Sequence, residues 1–380
     1  MLRRALLCTA TLLLAACSQT PVTPGQDAAP TLTELRRPAV ATGPSGTLDP
    51  SYGAQGSVSI SGLGQPVDVD AAGGVILLQA SATQSVLRRL DPRGRVDRRF
   101  GRRGVLTLPA ADAVGVAPDG DVLLVQRPKS TPGLTLRRYR DNGQPERRFG
   151  ARGVATFTDP RLAPLATPAQ FAPDGAVYVG VTGGVARVTA AGVLDTAFAD
   201  HGVYRLPESP ELLAGLQSFR ATAASGLAVS YSVSGGDSYS TSAALDVVDV
   251  RGQGVGGLSF SSARFTSAGD VATWASGAYA FLGMGDGGAS PHLLTSAGVD
   301  VSLGGEYGLG ASTRLVAQSG DRSLVYEGST VRRLLPDGAL DRSFAASGSD
   351  PFGHGLAWVR VAPDDAILAS DGVRVWRLFR

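Results

Sequence analysis

Short apolar and β-branched runs alternate with turn residues along most of the chain, and no helical spacing of apolar positions persists for long. One stretch shows the pattern. Residues 113–117, 122–126, 134–139 and 154–157 read as four strands, with turns at Pro118-Asp119-Gly120 and Asp141-Asn142-Gly143. Four short strands joined by tight turns predict one small antiparallel sheet.

The same unit recurs. Gly94-Arg95-Val96-Asp97-Arg98-Arg99-Phe100-Gly101-Arg102-Arg103-Gly104 repeats as Gly143-Gln144-Pro145-Glu146-Arg147-Arg148-Phe149-Gly150-Ala151-Arg152-Gly153, and the frame returns at 46–56, 192–202 and 338–348. Its ring residues, Tyr52, Phe100, Phe149, Phe198 and Phe344, are separated by 48, 49, 49 and 146 positions. The last gap holds about three periods, so two degenerate copies lie inside it. A second marker, a turn followed by a β-rich run, falls at Ala72-Gly73, Asp119-Gly120, Asp174-Gly175, Ser225-Gly226, Ser276-Gly277, Ser319-Gly320 and Asp364-Asp365. That makes seven copies. A period of about 45 to 50 residues with turns at fixed offsets predicts an all-β, seven-bladed β-propeller.

The ends of the chain are out of phase with the repeat. It opens with a connector and the strand 57–60, and it stops after 373–379, where the next connector would begin. The N-terminal strand is therefore expected to complete the last blade and close the ring, pairing two edges that would otherwise be open.

The frame Asp-x-x-Phe-Gly-x-x-Gly-Val, followed by Ala-Pro-Asp-Gly and an apolar strand, resembles the delta-60 repeat, a β-propeller domain of unknown function. The resemblance spans about residues 46–380 and fades where Gly252 and Gly298 are followed by no Asp-x-x-Phe. It implies a propeller on a bacterial envelope protein. It supplies no catalytic residues.

Ahead of the repeats, Arg3 and Arg4 precede an apolar stretch over 5–14, which is too short to span a bilayer and reads as an export signal. Leu14-Ala15-Ala16-Cys17 resembles the lipobox of bacterial lipoproteins, which implies cleavage before Cys17 and a diacylglycerol on its sulfur. The bland alternative is an ordinary signal peptide with an incidental cysteine. Residues 1–16 are thus expected to be a signal peptide and 17–45, rich in Pro, Thr and Ala, a solvated tether before the propeller at 46–380. Ser18 after the cysteine favours the outer membrane by analogy with lipoprotein sorting. With Cys8 removed and Cys17 lipidated, the mature chain keeps no thiol for a disulfide.

Composition narrows the chemistry. The chain is 43% hydrophobic and 18% charged, enough to bury a core, and its net charge is only +2. Lys129 is the single lysine, which leaves no phosphate loop of the GxxxxGK[ST] type and no serine–lysine dyad. No GxSxG elbow is present. His201, His292 and His354 have no zinc spacing; His201 reads as an exposed connector residue, and His354 between two glycines reads as an exposed loop residue, with a place in the central funnel as the alternative. The acids Asp49, Asp97, Glu146, Asp195 and Asp341 recur three positions before each aromatic, which points to a capping task repeated in each blade. The turns at Asp119, Asp174 and Asp337 fit Asx-turn chemistry better than a calcium cage, which needs six or more oxygens. No cofactor and no metal site is expected.

One feature breaks the symmetry. Arg88, Arg89, Arg93, Arg95, Arg98, Arg99, Arg102 and Arg103 recur 49 residues on as Arg137, Arg138, Arg140, Arg147, Arg148 and Arg152, whereas other copies hold few of them. Arg98, Arg99, Arg103, Arg147, Arg148 and Arg152 form a candidate anion-binding arc for an envelope polymer, a lipid head group or an acidic protein. A solvated surface, partly neutralised by Asp91, Asp97, Asp141 and Glu146, is the plainer reading. Nucleic acid is disfavoured by the export signal, the 6% aromatics and the balanced charge. The expected protein is a monomeric, membrane-tethered binding scaffold without enzymatic activity. The rival is a propeller enzyme acting on a sugar or a quinone-type substrate, with acids drawn from several blades.

Overall fold

The computed structural model describes residues 43–129, 131–208, 212–235, 241–260, 265–285, 291–304, 309–310, 312–344, 352 and 355–380. Cys17, the expected signal and tether up to residue 42, and His354 lie outside the described residues. Seven antiparallel sheets follow one another along the chain. The first holds β2 (Gln65–Val69), β3 (Val75–Ala80), β4 (Gln84–Leu90) and β5 (Leu106–Pro109), and the second β6 (Ala113–Val116), β7 (Val122–Gln126), β8 (Leu134–Tyr139) and β9 (Val154–Phe157). The third holds β10 (Gln170–Phe171), β11 (Val177–Val181), β12 (Gly184–Val188) and β13 (Val203–Arg205). The degenerate fourth and fifth are β14 (Leu212–Ala221), β15 (Leu227–Gly235), β16 (Thr241–Val248) and β17 (Gly254–Phe260), then β18 (Phe265–Thr273), β19 (Tyr279–Gly285), β20 (Pro291–Thr295) and β21 (Asp300–Ser302). The sixth shows β22 (Arg314–Gln318), β23 (Arg322–Glu327) and β24 (Thr330–Leu334) among the described residues. The seventh combines β25 (Trp358–Val361), β26 (Ile367–Ser370) and β27 (Arg374–Leu378) with β1 (Ser57–Ser59) from the start of the chain.

The first strands, β2, β6, β10, β14, β18, β22 and β25, contact one another in a closed circuit, so the sheets are blades around a common axis. The chain is a seven-bladed β-propeller, as the repeat predicts. The strands expected in the second unit match the observed ones except at 117, where Ala117 already donates its N–H to Asp121 in the turn. Strand direction also sorts the loops. The turn after each first strand and the connector after each third strand lie on one face, here the connector face. The links between blades lie on the opposite face, the link face.

The core is distributed. Each neighbouring pair of blades shares one apolar cluster, as with Phe149, Leu123, Val125, Val177 and Val179 between blades two and three. The frame aromatics Tyr52, Phe100, Phe149, Phe198 and Phe344 are all buried, each in such a seam. Blades four and five lack a frame aromatic, and there Phe281 and Trp274 fill the seams instead.

Closure follows the expected course. Strand β1 pairs with β27 through Ser57↔Trp376, Val58↔Val375 and Ser59↔Arg374, and Leu48 bridges to Leu378 just before it. Without β1, the edge of β27 would present unpaired N–H and C=O groups. A chain starting at Ser61 also loses Tyr52 from the seam between blades seven and one. It should melt without cooperativity and aggregate, as followed by circular dichroism and light scattering; a parent-like melt would exclude circular closure.

Tyr52 carries a mismatch. Its ring is fully buried, yet its hydroxyl has no hydrogen-bond partner among the described residues, and burial pushes its pKa well up. A buried, unsatisfied hydroxyl costs about 1–3 kcal/mol. Four other copies hold Phe at this position. Tyr52→Phe should therefore raise the melting temperature by a few degrees in calorimetry, whereas a lowered one would show that the hydroxyl is satisfied.

Candidate anion-binding sites

Most of the arginines belong to the blades themselves. On the third strand of five blades, an arginine at one register position reaches acids on the connector face: Arg89, Arg138, Arg187, Arg333 and Arg377. Arg89 lies 2.6 Å from Asp97 and 3.3 Å from Asp70. Arg377 lies 3.0 Å from Asp49 and also holds Asp364, and Arg333 lies 2.8 Å from Asp341. Arg187 holds both Asp195 and Asp174. Blade two varies the scheme, with Arg138 on Asp121 at 2.9 Å while Arg140 takes Glu146 at 2.6 Å.

Each connector acid also caps its own turn. Asp49, Asp97, Glu146, Asp195 and Asp341 accept the N–H of Ser51, Arg99, Arg148, Ala197 and Ser343, respectively, two residues ahead. The guanidinium then sits by the frame ring, 4.7 Å from the Phe344 centroid for Arg333 and 5.9 Å from that of Phe100 for Arg89. The hydrogen bond from Arg140, with the N–H of Arg148, pulls the Glu146 carboxyl down to about 2. Burial alone would raise Asp341, but Ser343 and Arg333 outweigh it and the net shift is downward. The recurring acids are thus structural, as their recurrence predicts.

The basic run is not one surface. Arg89 and Arg138 are clamps, Arg88 donates to the Leu63 carbonyl at 2.7 Å, and Arg137 donates to Gln126 at 2.8 Å. Arg95 is held by Asp91 at 2.8 Å. Spacing alone merged these strand residues with the connector ones. Arg98, Arg99, Arg103, Arg147, Arg148 and Arg152 are different: all are exposed. None has a side-chain hydrogen bond or ion pair among the described residues. Arg103 (φ 57°) and Arg152 (φ 56°) hold the left-handed connector position that Gln55 and His201 hold in other copies. The first connector touches the turn leading into the second through Gly101 N–H to the Asp141 carbonyl, 2.9 Å, which sets the two groups in neighbouring blades on the connector face.

The other candidates fall to plainer roles. His201 is an exposed connector residue, and His292 Nδ1 lies 2.8 Å from Asp300. Asp119, Asp174 and Asp337 accept the N–H two residues on, as Asx turns do. No group of three metal-ligating side chains occurs among the described residues.

Sequence reading missed the axis. A cavity of about 310 Å³ there is lined by Gln170, Arg220, Asp270, Arg314, Tyr326 and Arg360, among others. It opens on the link face, where the first strands begin. A second cavity of about 210 Å³, toward the connector face, shares Arg220 and Arg360 and is otherwise mostly apolar, with Val271, Leu315 and Val361 in its wall. The two guanidinium-bearing residues therefore stand where the cavities meet.

Both axial acids are engaged. Asp68 lies 3.6 Å from Arg360 and accepts the Val69 N–H, and Asp270 lies 3.6 Å from Arg314 and accepts the Leu315 N–H. Arg360 stacks over Trp358 at 5.7 Å. Arg220 donates to the Phe219 carbonyl at 2.9 Å and meets no carboxylate among the described residues. Burial, and then repulsion from Arg360, lowers its pKa; burial raises that of Asp68 in spite of Arg360. A readable signal existed. The residues two before each turn are Asp68, Gly115, Gln170, Arg220, Ala272, Val316 and Arg360, so the charged ones stand out once the copies are aligned.

No protein-family model matches the sequence, and no curated protein matches it. Among solved structures, the chain is similar to virginiamycin B lyase from Staphylococcus aureus, with a TM-score of 0.52 and 14% identity over 85% of this chain and 98% of that one. It is also similar to hydrazine synthase from Kuenenia stuttgartiensis, with a TM-score of 0.51 and 13% identity over 83% of this chain and 96% of that one. At these identities the likeness is one of fold, and it agrees with the seven-bladed β-propeller built above.

Proposed function

We propose that this protein is an envelope-tethered propeller lipoprotein of the delta-60-repeat kind, a non-enzymatic binding scaffold whose connector face meets an anionic component of the envelope. One observation carries the reading. The described chain begins on the face that bears the six unpaired arginines: Gly46 donates to the Phe379 carbonyl at 2.9 Å, and Leu48 bridges to Leu378 at the connector end of β27. A lipid on Cys17 would keep these arginines within reach of the envelope surface. Phosphate and carboxylate groups there match the forked guanidinium donors.

The axial acids support binding over acid–base chemistry. A general acid or base must exchange its proton with substrate, and Asp68 and Asp270 each face an arginine and hold a backbone N–H. Each carboxylate is thus engaged as the partner of an arginine and a backbone N–H, although burial raises the pKa of Asp68.

The anchor is tested by Cys17→Ser. The variant should take up no labelled fatty acid and move from the membrane to the soluble envelope fraction. A soluble parent protein, or label in the variant, would overturn the lipoprotein reading.

The arc is tested by reversing all six arginines, Arg98, Arg99, Arg103, Arg147, Arg148 and Arg152, to Glu. Exposed, unpaired charges add little to stability, so the melt should be parent-like while capture of isolated envelope material at low salt falls at least tenfold. The difference should vanish near 1 M salt, where the Debye length is about 3 Å. Equal capture by both proteins at low salt would make the arc a merely solvated surface.

A further inference from the structure

Arg220 and Arg360 line both the 310 Å³ and the 210 Å³ cavity, where the two meet at the axis. The fold does not require charge there. The equivalent first-strand positions in blades two, five and six are Gly115, Ala272 and Val316, and those blades close against their neighbours as the others do. Arg220 forms no ion pair among the described residues, and burial and repulsion from Arg360 outweigh the more distant attraction of Asp270 and Asp68. Leaving one charge of a buried set unpaired is destabilising. Among the described residues the charges around the axis are three arginines, Arg220, Arg314 and Arg360, against two aspartates, Asp68 and Asp270, so one positive charge is in excess.

The cavity is also the right shape for a small ligand. Its 310 Å³ is the lower end of the usual range for small-molecule sites. Arg220 and Arg360 form its floor, Arg314 is 59% exposed at the mouth, and the Gln170 amide in the wall has no hydrogen-bond partner among the described residues. Charged donors at the floor and mouth, with a neutral amide and the Tyr326 and Trp358 rings between, fit a molecule with an oxyanion head and a short polar body.

We propose that the axial cavity binds a small organic oxyanion, a phosphate monoester or a carboxylate, with its anionic head on Arg220 and Arg360 and its body extending past Gln170 toward Arg314. The site opens on the link face, away from the connector arginines. It therefore does not depend on the envelope reading, and the two fail separately.

Titration calorimetry on the purified propeller tests it with glycerol 3-phosphate as the phosphate arm, succinate as the carboxylate arm and glycerol as the neutral control. At least one anion should bind with a dissociation constant below 1 mM, and glycerol should not. Binding by one arm and not the other identifies the head group. Arg220→Met should weaken the binding at least tenfold and melt no lower than the parent without ligand, because it removes an unanswered charge. Arg314→Gln, at the exposed mouth, should weaken it several-fold and guards against a folding defect in the first variant. The six-fold connector reversal should leave it unchanged. No heat with either anion, equal affinity for glycerol, or full affinity in both Arg220→Met and Arg314→Gln would overturn the assignment.

Discussion

The pairing of β1 with β27 is the constraint on which the remaining structure depends. A blade of three or four short strands cannot bury both of its faces alone, and here every apolar cluster lies between two blades rather than within one. Each seam therefore exists only while its two blades are held in the ring. The latch is built from residues nearly the full chain length apart. Val58 pairs with Val375, Asp49 meets Arg377, and Tyr52 fills the seam shared with blade one. No disulfide is needed for this, because the strand edges and the buried ion pair already tie the two ends together.

Arginine carries two separate tasks, and the clamp explains why they are interleaved. A clamp arginine is tolerated in a blade because its acids and the frame ring answer it, and removing one partner of a buried pair is costly. Blades four and five confirm the dependence by losing both sides at once. The clamp position, five residues before the connector glycine, is Val247 in one and Leu293 in the other, and neither Gly252 nor Gly298 is followed by the Asp-x-x-Phe frame. The connector arginines have no such partner, so their number is free to vary from copy to copy.

Much of the architecture is legible in the sequence because the repeat fixes it. The 49-residue spacing of Phe100, Phe149 and Phe198 counts the blades, and the overhang of 57–60 identifies the closing strand. Strand bounds in the second blade follow from its turns to within one residue. The capping task of Asp97 and its equivalents follows from recurrence. What spacing cannot separate is direction along a strand. Arg88 and Arg89 are neighbours in sequence but point to opposite faces of their sheet, one to the Leu63 carbonyl and one to Asp97, so a dense run of arginines reads as a single patch when it is three environments. The axial residues were hidden for another reason. Asp68, Arg220 and Arg360 are each unremarkable within their own copy and become a group only when one register position is read around the ring.

The asymmetry of the ring divides the molecule by chemistry. The unpaired connector arginines occupy blades one and two, where the frame is strongest, while the axial charges come from Arg220, Asp270, Arg314 and Arg360 in blades four to seven, with Asp68 beside Arg360 in the adjoining blade one. The degenerate copies also have the longest strands, 10 residues in β14 and 9 in β15 and β18, against 4 to 6 in the second blade and 5 in β22. Loss of the clamp removed a rule that a third strand must carry an arginine and its connector an acid. A blade released from that rule can change its strand length without breaking an ion pair. The axial positions vary independently of the clamp: blades that keep it hold Asp68, Gly115, Gln170, Val316 and Arg360 on their first strands, so the axis presents a different chemistry in each direction because the clamp acts on the third strand and leaves the first one free.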